Sequence, residues 1–142
     1  MEVSTNVFDP QTVKLKPDSE ETTRKIVWET NRNVPMMSSA VFVKPYLFVV
    51  SEKGFVMCLE AATGKVKWQE RLGGTYSASP LAADGHIYFL SEDGETVVIP
   101  ADGKFEVLAR NSLKEPCQAS MAVSHGKLFI RTQTHLFCIG SK

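Results

Sequence analysis

The chain has 142 residues, 43% of them apolar, and its 16 Lys and Arg balance its 16 Asp and Glu. That is one domain's length with enough apolar material to bury a core without disulfide staples. The balanced charge offers no basic field for nucleic acid and no steering toward an anionic membrane surface, and no apolar run approaches the roughly 18 residues that cross a bilayer.

Residues Met1–Asn6 lack the basic and apolar stretches of a secretory leader. Residues 1–24 are read as an N-terminal extension. Val7–Pro10 with Val13–Pro17 offers one or two short strands, and Asp18–Thr23 is polar and loop-like. The main body is assigned to residues 25–142.

That body repeats. Trp28 and Trp68 stand 40 residues apart, as do Gly54 and Gly94, and Ser51 and Ser91. Ser39, Ser79 and Ser120 head corresponding segments, with one extra residue in the second interval. A period of this length indicates a repeat architecture.

Within each period the units are short and strand-like. Lys25–Glu29 reads as an outer strand without inner partners. Ser39–Val43, Tyr46–Val50, Phe55–Leu59 and Val66–Gln69 follow, separated by Lys44-Pro45, Glu52-Lys53-Gly54 and Ala62-Thr63-Gly64-Lys65. The next period gives Ile87–Leu90, Thr96–Ile99 and Phe105–Leu108, introduced by Asp84-Gly85, Glu92-Asp93-Gly94 and Asp102-Gly103. The third gives Leu128–Ile130 after His125-Gly126, then His135–Ile139.

Asp-Gly and related pairs supply the positive φ that tight hairpins need. The strands are rich in β-branched and aromatic residues. Leu47–Val50 is apolar throughout, as in a sheet covered on both faces. No segment has a helical period. The chain is therefore read as all-β, in antiparallel blades of four strands, and 40 residues per four strands is the period of a β-propeller. Each blade needs neighbours to shelter its two faces.

Cys58 through Trp68, with Thr63, Gly64 and Trp68 in place, resembles the tryptophan-docking repeat of the pyrroloquinoline quinone-like propellers, whose pattern is Ala-x-Asp-x-x-Thr-Gly-x-x-x-Trp. Cys58 replaces the alanine and Glu60 the aspartate, and the later copies lose Thr-Gly and Trp. The resemblance spans Lys25 to Ile139. It implies a Trp68 wedge between blades and a turn that Gly64 lets close. A WD-repeat propeller shares the period but asks for Gly-His and Trp-Asp, whereas Trp28 precedes Glu29 and Trp68 precedes Gln69.

Pairing Lys25–Glu29 with the terminal strands would give about three blades per chain. Rings ordinarily have four or more. The chain is then either a portion of a larger ring or a homo-oligomer in which two copies share blades.

No catalytic, cofactor or metal site is assigned. His86, His125 and His135 fit no metal-ligand spacing. Ser79 and Ser120 recur with the repeat and read as structural rather than nucleophilic, with no Gly-x-Ser-x-Gly elbow. Asp84, Asp93 and Asp102 precede glycines and read as turn residues.

Cys58, Cys117 and Cys138 form no C-x-x-C pair and are odd in number, so no disulfide framework is expected. Cys58 and Cys138 lie in apolar strands, where cysteine acts as a small buried hydrophobe. Quinone-dependent dehydrogenases of the resembled family hold their cofactor with an adjacent cysteine pair and a tryptophan platform. Here no such pair exists, and both tryptophans are taken as wedges.

The connectors Thr30–Met37, Arg71–Ser77 and Asn111–Ala119 should gather on one face, with Arg32, Arg71 and Tyr76 as the obvious contact-makers, though turn and packing roles explain these residues equally well. The expected function is a non-catalytic module that binds protein partners, similar to the BamB-like propellers of outer-membrane assembly. The alternatives are a remnant of a quinone-dependent dehydrogenase and a sensor or docking domain of a larger enzyme. Resemblance alone suggests a periplasmic or cell-envelope location.

Overall fold

A computed structural model describes residues 26–141, so the expected extension over residues 1–24 lies outside the described residues. Eleven strands and no helix are described. The first blade comprises β1 (Val41–Val43), β2 (Tyr46–Val50), β3 (Phe55–Glu60) and β4 (Val66–Arg71), paired in that order. The second comprises β5 (Leu81–Ala83), β6 (His86–Leu90), β7 (Glu95–Pro100) and β8 (Ala109–Ser112). β9 (Ala122–Ser124), β10 (Lys127–Arg131) and β11 (Leu136–Ile139) form a third sheet. Every pairing is antiparallel between sequence neighbours, which is the topology of propeller blades.

The alternation of strand side chains explains the uninterrupted apolar runs. Along β2 and β3, Phe48, Val50, Val56 and Cys58 face the second blade, where they pack with Ile87, Phe89, Val97 and Ile99 in one core. Val49, Met57 and Leu59 form a separate cluster with Leu47 on the opposite face. Between the second and third sheets a further core gathers Ala78, Leu90, Cys117, Met121 and Ile130. Burying one large apolar side chain stabilises by roughly 1.5–3 kcal/mol, against about 1 kcal/mol for a hydrogen bond, so these joints are held mainly by their apolar faces.

Polar groups set the register between blades. The Ser39 backbone amide donates to Ser79 Oγ at 2.9 Å, and the Ser79 amide donates to Ser120 Oγ at 2.9 Å. The recurring serines thus tie each blade to the next. The connectors are fixed in the same periodic way. The Tyr76 amide donates to the Glu52 carbonyl (3.1 Å) and the Cys117 amide to the Glu92 carbonyl (2.9 Å), while Glu92 and Gln133 donate to the carbonyls of Thr75 and Pro116.

Two expected strands are placed differently. Residues 26–30 form no strand, and the expected pairing of Lys25–Glu29 with the terminal strands is not made within the described residues. The third sheet keeps three strands, and β11 has an open edge. A strand needs a ladder to pair with, and among the described residues no strand lies paired beside residues 26–30. The outer strand expected over Phe105–Leu108 instead runs from Ala109 to Ser112. Phe105 lies against Trp68, with ring centroids 5.1 Å apart, and pairing with β7 begins where the Leu108 amide meets the Val98 carbonyl at 2.8 Å.

Candidate functional site

Trp68 and Trp28 are the wedges that organise the blade joints. From β4, Trp68 tilts against Phe48 of its own blade and Phe105 of the next, and its Nε1–H donates to the Gly103 carbonyl at 3.1 Å. Trp28 does the same one period earlier, donating to the Ala61 carbonyl at 2.8 Å. The receiving turns carry Gly64 at φ +71° and Gly103 at φ +80°. A Cβ at Gly64 would enter the Trp28 ring, and one at Gly103 would enter Tyr46. Both glycines therefore serve close approach as well as the left-handed turn. The second copy, degenerate in sequence, keeps this docking function through Gly103.

The second joint has no such wedge. Ala109, opposite Val98 as Trp68 is opposite Cys58, stands in the wedge position of the second blade. A cleft of about 520 Å³ opens there, lined among others by Tyr88, Val98, Leu113, Leu128 and Ile139.

The two open ends of the blade stack carry a group of exposed apolar residues. On the leading end, the amides of Met36 and Met37 donate to Glu52 Oε1 at 2.6 and 2.9 Å, holding both side chains outward. The Glu52 carboxyl is lowered from its ordinary range chiefly by its own backbone amide; burial opposes this, and the amides of Met37 and Met36 add smaller pulls downward. Behind them a groove of about 280 Å³ exposes the cluster of Leu47, Val49, Met57 and Leu59 beside Trp28. On the trailing end, β11 exposes Leu136 and Cys138 beside its unpaired edge, while Ile139, opposite Leu128, faces the cleft at the second joint.

Of the three contact-makers expected on the connectors, Tyr76 is a correction: it is 1% exposed and belongs to the core of the first joint. Burial pushes its hydroxyl up to about 12, and a tyrosine in a loop gives no sequence sign of which way it turns. Arg71 is exposed and lies over the Phe55 ring at 5.5 Å. Arg32 is exposed in its connector. The connectors do share one face, since they bond to the β2–β3, β6–β7 and β10–β11 turns alike.

Ser79 and Ser120 carry the inter-blade bonds. Asp84 sits in its turn at φ +47°, and Asp102 Oδ1 accepts from the Lys104 amide at 3.0 Å. Cys58 and Cys117 are buried and free, and burial raises both thiols, Cys58 to about 11. Cys138 is exposed, contrary to the expectation of a buried hydrophobe. It lies on an edge strand whose covering blade is not beside it.

His86 packs edge-on to Tyr88, and His125 Nδ1 lies 2.8 Å from Ser124 Oγ. His135 joins a cluster the sequence did not disclose. Glu115 accepts from Thr132 Oγ (2.6 Å) and Thr134 Oγ (2.8 Å), and His135 Nδ1 lies within 2.9 Å of its carboxylate. These bonds, led by Thr132, pull the Glu115 carboxyl down to about 2. The signal was invisible because Glu115 lies in a connector some 20 residues from His135.

The family model described as outer membrane protein assembly factor BamB matches residues 18–106. The chain belongs to this family of pyrroloquinoline quinone-like β-propellers. Among solved structures, BamB from Moraxella catarrhalis superposes with a TM-score of 0.57 at 16% identity, covering 68% of this chain and 30% of that one. A europium-containing methanol dehydrogenase gives 0.54 at 16% identity, over 64% and 19% of the two chains. The quinohemoprotein alcohol dehydrogenase from Comamonas testosteroni gives 0.58 at 15%, over 68% and 17%. No curated protein matches the sequence. The chain spans less than a third of each of these propellers, and at such identities the likeness is one of fold.

Proposed function

We propose that the chain is a non-catalytic propeller module of the cell envelope that binds protein through its open blade ends. One observation carries the reading. Met36 and Met37 on one end and Leu136 on the other are strongly exposed, and on the first end the cluster of Val49, Met57 and Leu59 opens into the groove beside Trp28. Exposed apolar surface continuous with a core is characteristic of interaction sites, and methionine suits adaptable contacts. An unpaired strand edge adds a row of backbone donors and acceptors for a partner. The polar residues repeated in the sequence are meanwhile engaged: Ser79 and Ser120 in blade registration, Asp84 and Asp102 in turns. The family description names an assembly factor of outer-membrane proteins, and that supports both the binding role and the location.

The competing reading is a portion of a quinone-dependent dehydrogenase. Titration with pyrroloquinoline quinone and calcium, followed by absorbance and intact mass, separates the two. The scaffold reading expects no stoichiometric complex, and tight one-to-one uptake of the quinone overturns it.

A further inference from the structure

The described residues hold three aspartates, Asp84, Asp93 and Asp102, and each is followed by glycine. In such a pair the main-chain nitrogen of the glycine can attack the side-chain carboxyl carbon of the aspartate, since no glycine Cβ stands in the way. A C–N bond forms, the carboxyl hydroxyl leaves as water with the amide proton, and the product is a five-membered succinimide. Water then opens the ring at either carbonyl. One opening restores aspartate, and the other leaves isoaspartate, whose main chain runs through Cβ. No oxidant, reductant or cofactor enters. The reaction needs a carboxyl free to rotate and a glycine peptide free to turn, so the fold decides which pair reacts.

Two of the pairs are held. The Gly94 amide donates to the Ser91 carbonyl at 3.0 Å, and a Cβ added at Gly94 would strike the Glu115 carbonyl of the connector. Gly103 is packed against Tyr46, and its carbonyl accepts from Trp68 Nε1 at 3.1 Å. Beside it, Asp102 Oδ1 accepts from the Lys104 amide at 3.0 Å, which fixes the carboxyl that would have to turn. Gly94 and Gly103 are both buried. Asp84-Gly85 has none of these restraints. Both residues are exposed, and a Cβ added at Gly85 would meet nothing within 4 Å. Among the described residues, no hydrogen bond holds the Asp84 carboxylate or the Gly85 amide.

We propose that Asp84-Gly85 is a site of succinimide formation at which isoaspartate builds up in the folded chain, and that the fold protects Asp93-Gly94 and Asp102-Gly103. The pair forms the two-residue turn between β5 and β6, with Asp84 at φ +47° and Gly85 at φ +73°. That turn sets Ala83 opposite His86, and the Gly85 carbonyl accepts from the Ala101 amide at 2.9 Å. Isoaspartate adds a main-chain atom to the turn and displaces both. β5 carries Ala82 against the core of the first joint and Leu81 against that of the second. Isomerisation at Asp84 therefore loosens the inner strand on which both joints rest. The turn itself does not depend on the aspartate: His125-Gly126 joins β9 to β10 at φ +49° and +70°, and histidine, like aspartate, accepts a left-handed φ.

The test is to hold the purified chain for weeks at body temperature in mildly acidic buffer and digest it. Chromatography with electron-transfer fragmentation then resolves the aspartyl and isoaspartyl forms of each peptide. In the folded chain the Asp84 peptide should gain isoaspartate at least ten times faster than the Asp93 and Asp102 peptides. In guanidinium chloride all three should convert at similar rates, so that the contrast belongs to the fold and not to the flanking residues. Asp84→His borrows the residue of the matching turn in the third sheet. It should keep the strand content by circular dichroism and form no isoaspartate at this turn. The urea midpoint should fall during incubation for the native chain and hold steady for Asp84→His. No isoaspartate at Asp84 in the folded chain, or conversion at Asp93 or Asp102 as fast as at Asp84, overturns the proposal.

Discussion

Trp68 joins two blades by two different means, and substitution separates them. Its ring touches Phe48 and Phe105, and its Nε1–H reaches the Gly103 carbonyl. Trp68→Phe keeps most of the apolar contact and removes the donor, an expected loss of about 1 kcal/mol in urea unfolding. Trp68→Ala removes both and opens a void like the cleft at the second joint. The expected loss is roughly 3 kcal/mol, at the lower end of the range for buried aromatics because the ring is only half buried. Equal losses for the two variants would show that the hydrogen bond, not the ring, holds the joint. Thr63-Gly64 and Trp68 were legible as a docking repeat because chemistry at these positions is local. Gly103 was not, because its turn is one residue shorter and the partner ring comes from another blade. Tyr76 was misplaced for a related reason: its burial depends on a neighbouring sheet that loop composition does not reveal.

At the scale of elements, the hairpins were readable and the outer strands were not. Asp84-Gly85, Gly54 and Gly94 fix turns through their own backbone angles, so β2, β3, β6 and β7 fall where the apolar runs lie between them. An outer strand has only one neighbour and a polar outer face, so packing decides its limits. Phe105 is drawn to Trp68, and β8 starts four residues later. Residues 26–30, with a good strand composition, pair with no strand among the described residues.

The third sheet is tied to its connector by the Glu115 cluster, and this tie has a pH signature. The folded carboxyl titrates at about 2 against an ordinary 4.5, with Thr132, Thr134 and His135 as the causes in that order. A depressed carboxyl contributes stability that is fully present above the ordinary value and is lost as pH falls toward the folded one. Urea midpoints of the native chain and Glu115→Gln should therefore differ at about pH 5 and converge as pH approaches about 2. A gap that persists at the acid end would mean that the glutamate acts through packing rather than charge.

For the whole molecule, the repeat that made the fold legible also makes the chain incomplete as a set of surfaces. Each blade is buried by what stands on either side, so stability passes from neighbour to neighbour, and the end blades determine where it stops. Sequence could count the periods but not the neighbours, since the third sheet differs from the second by few residues, Arg131 for Leu90 among them.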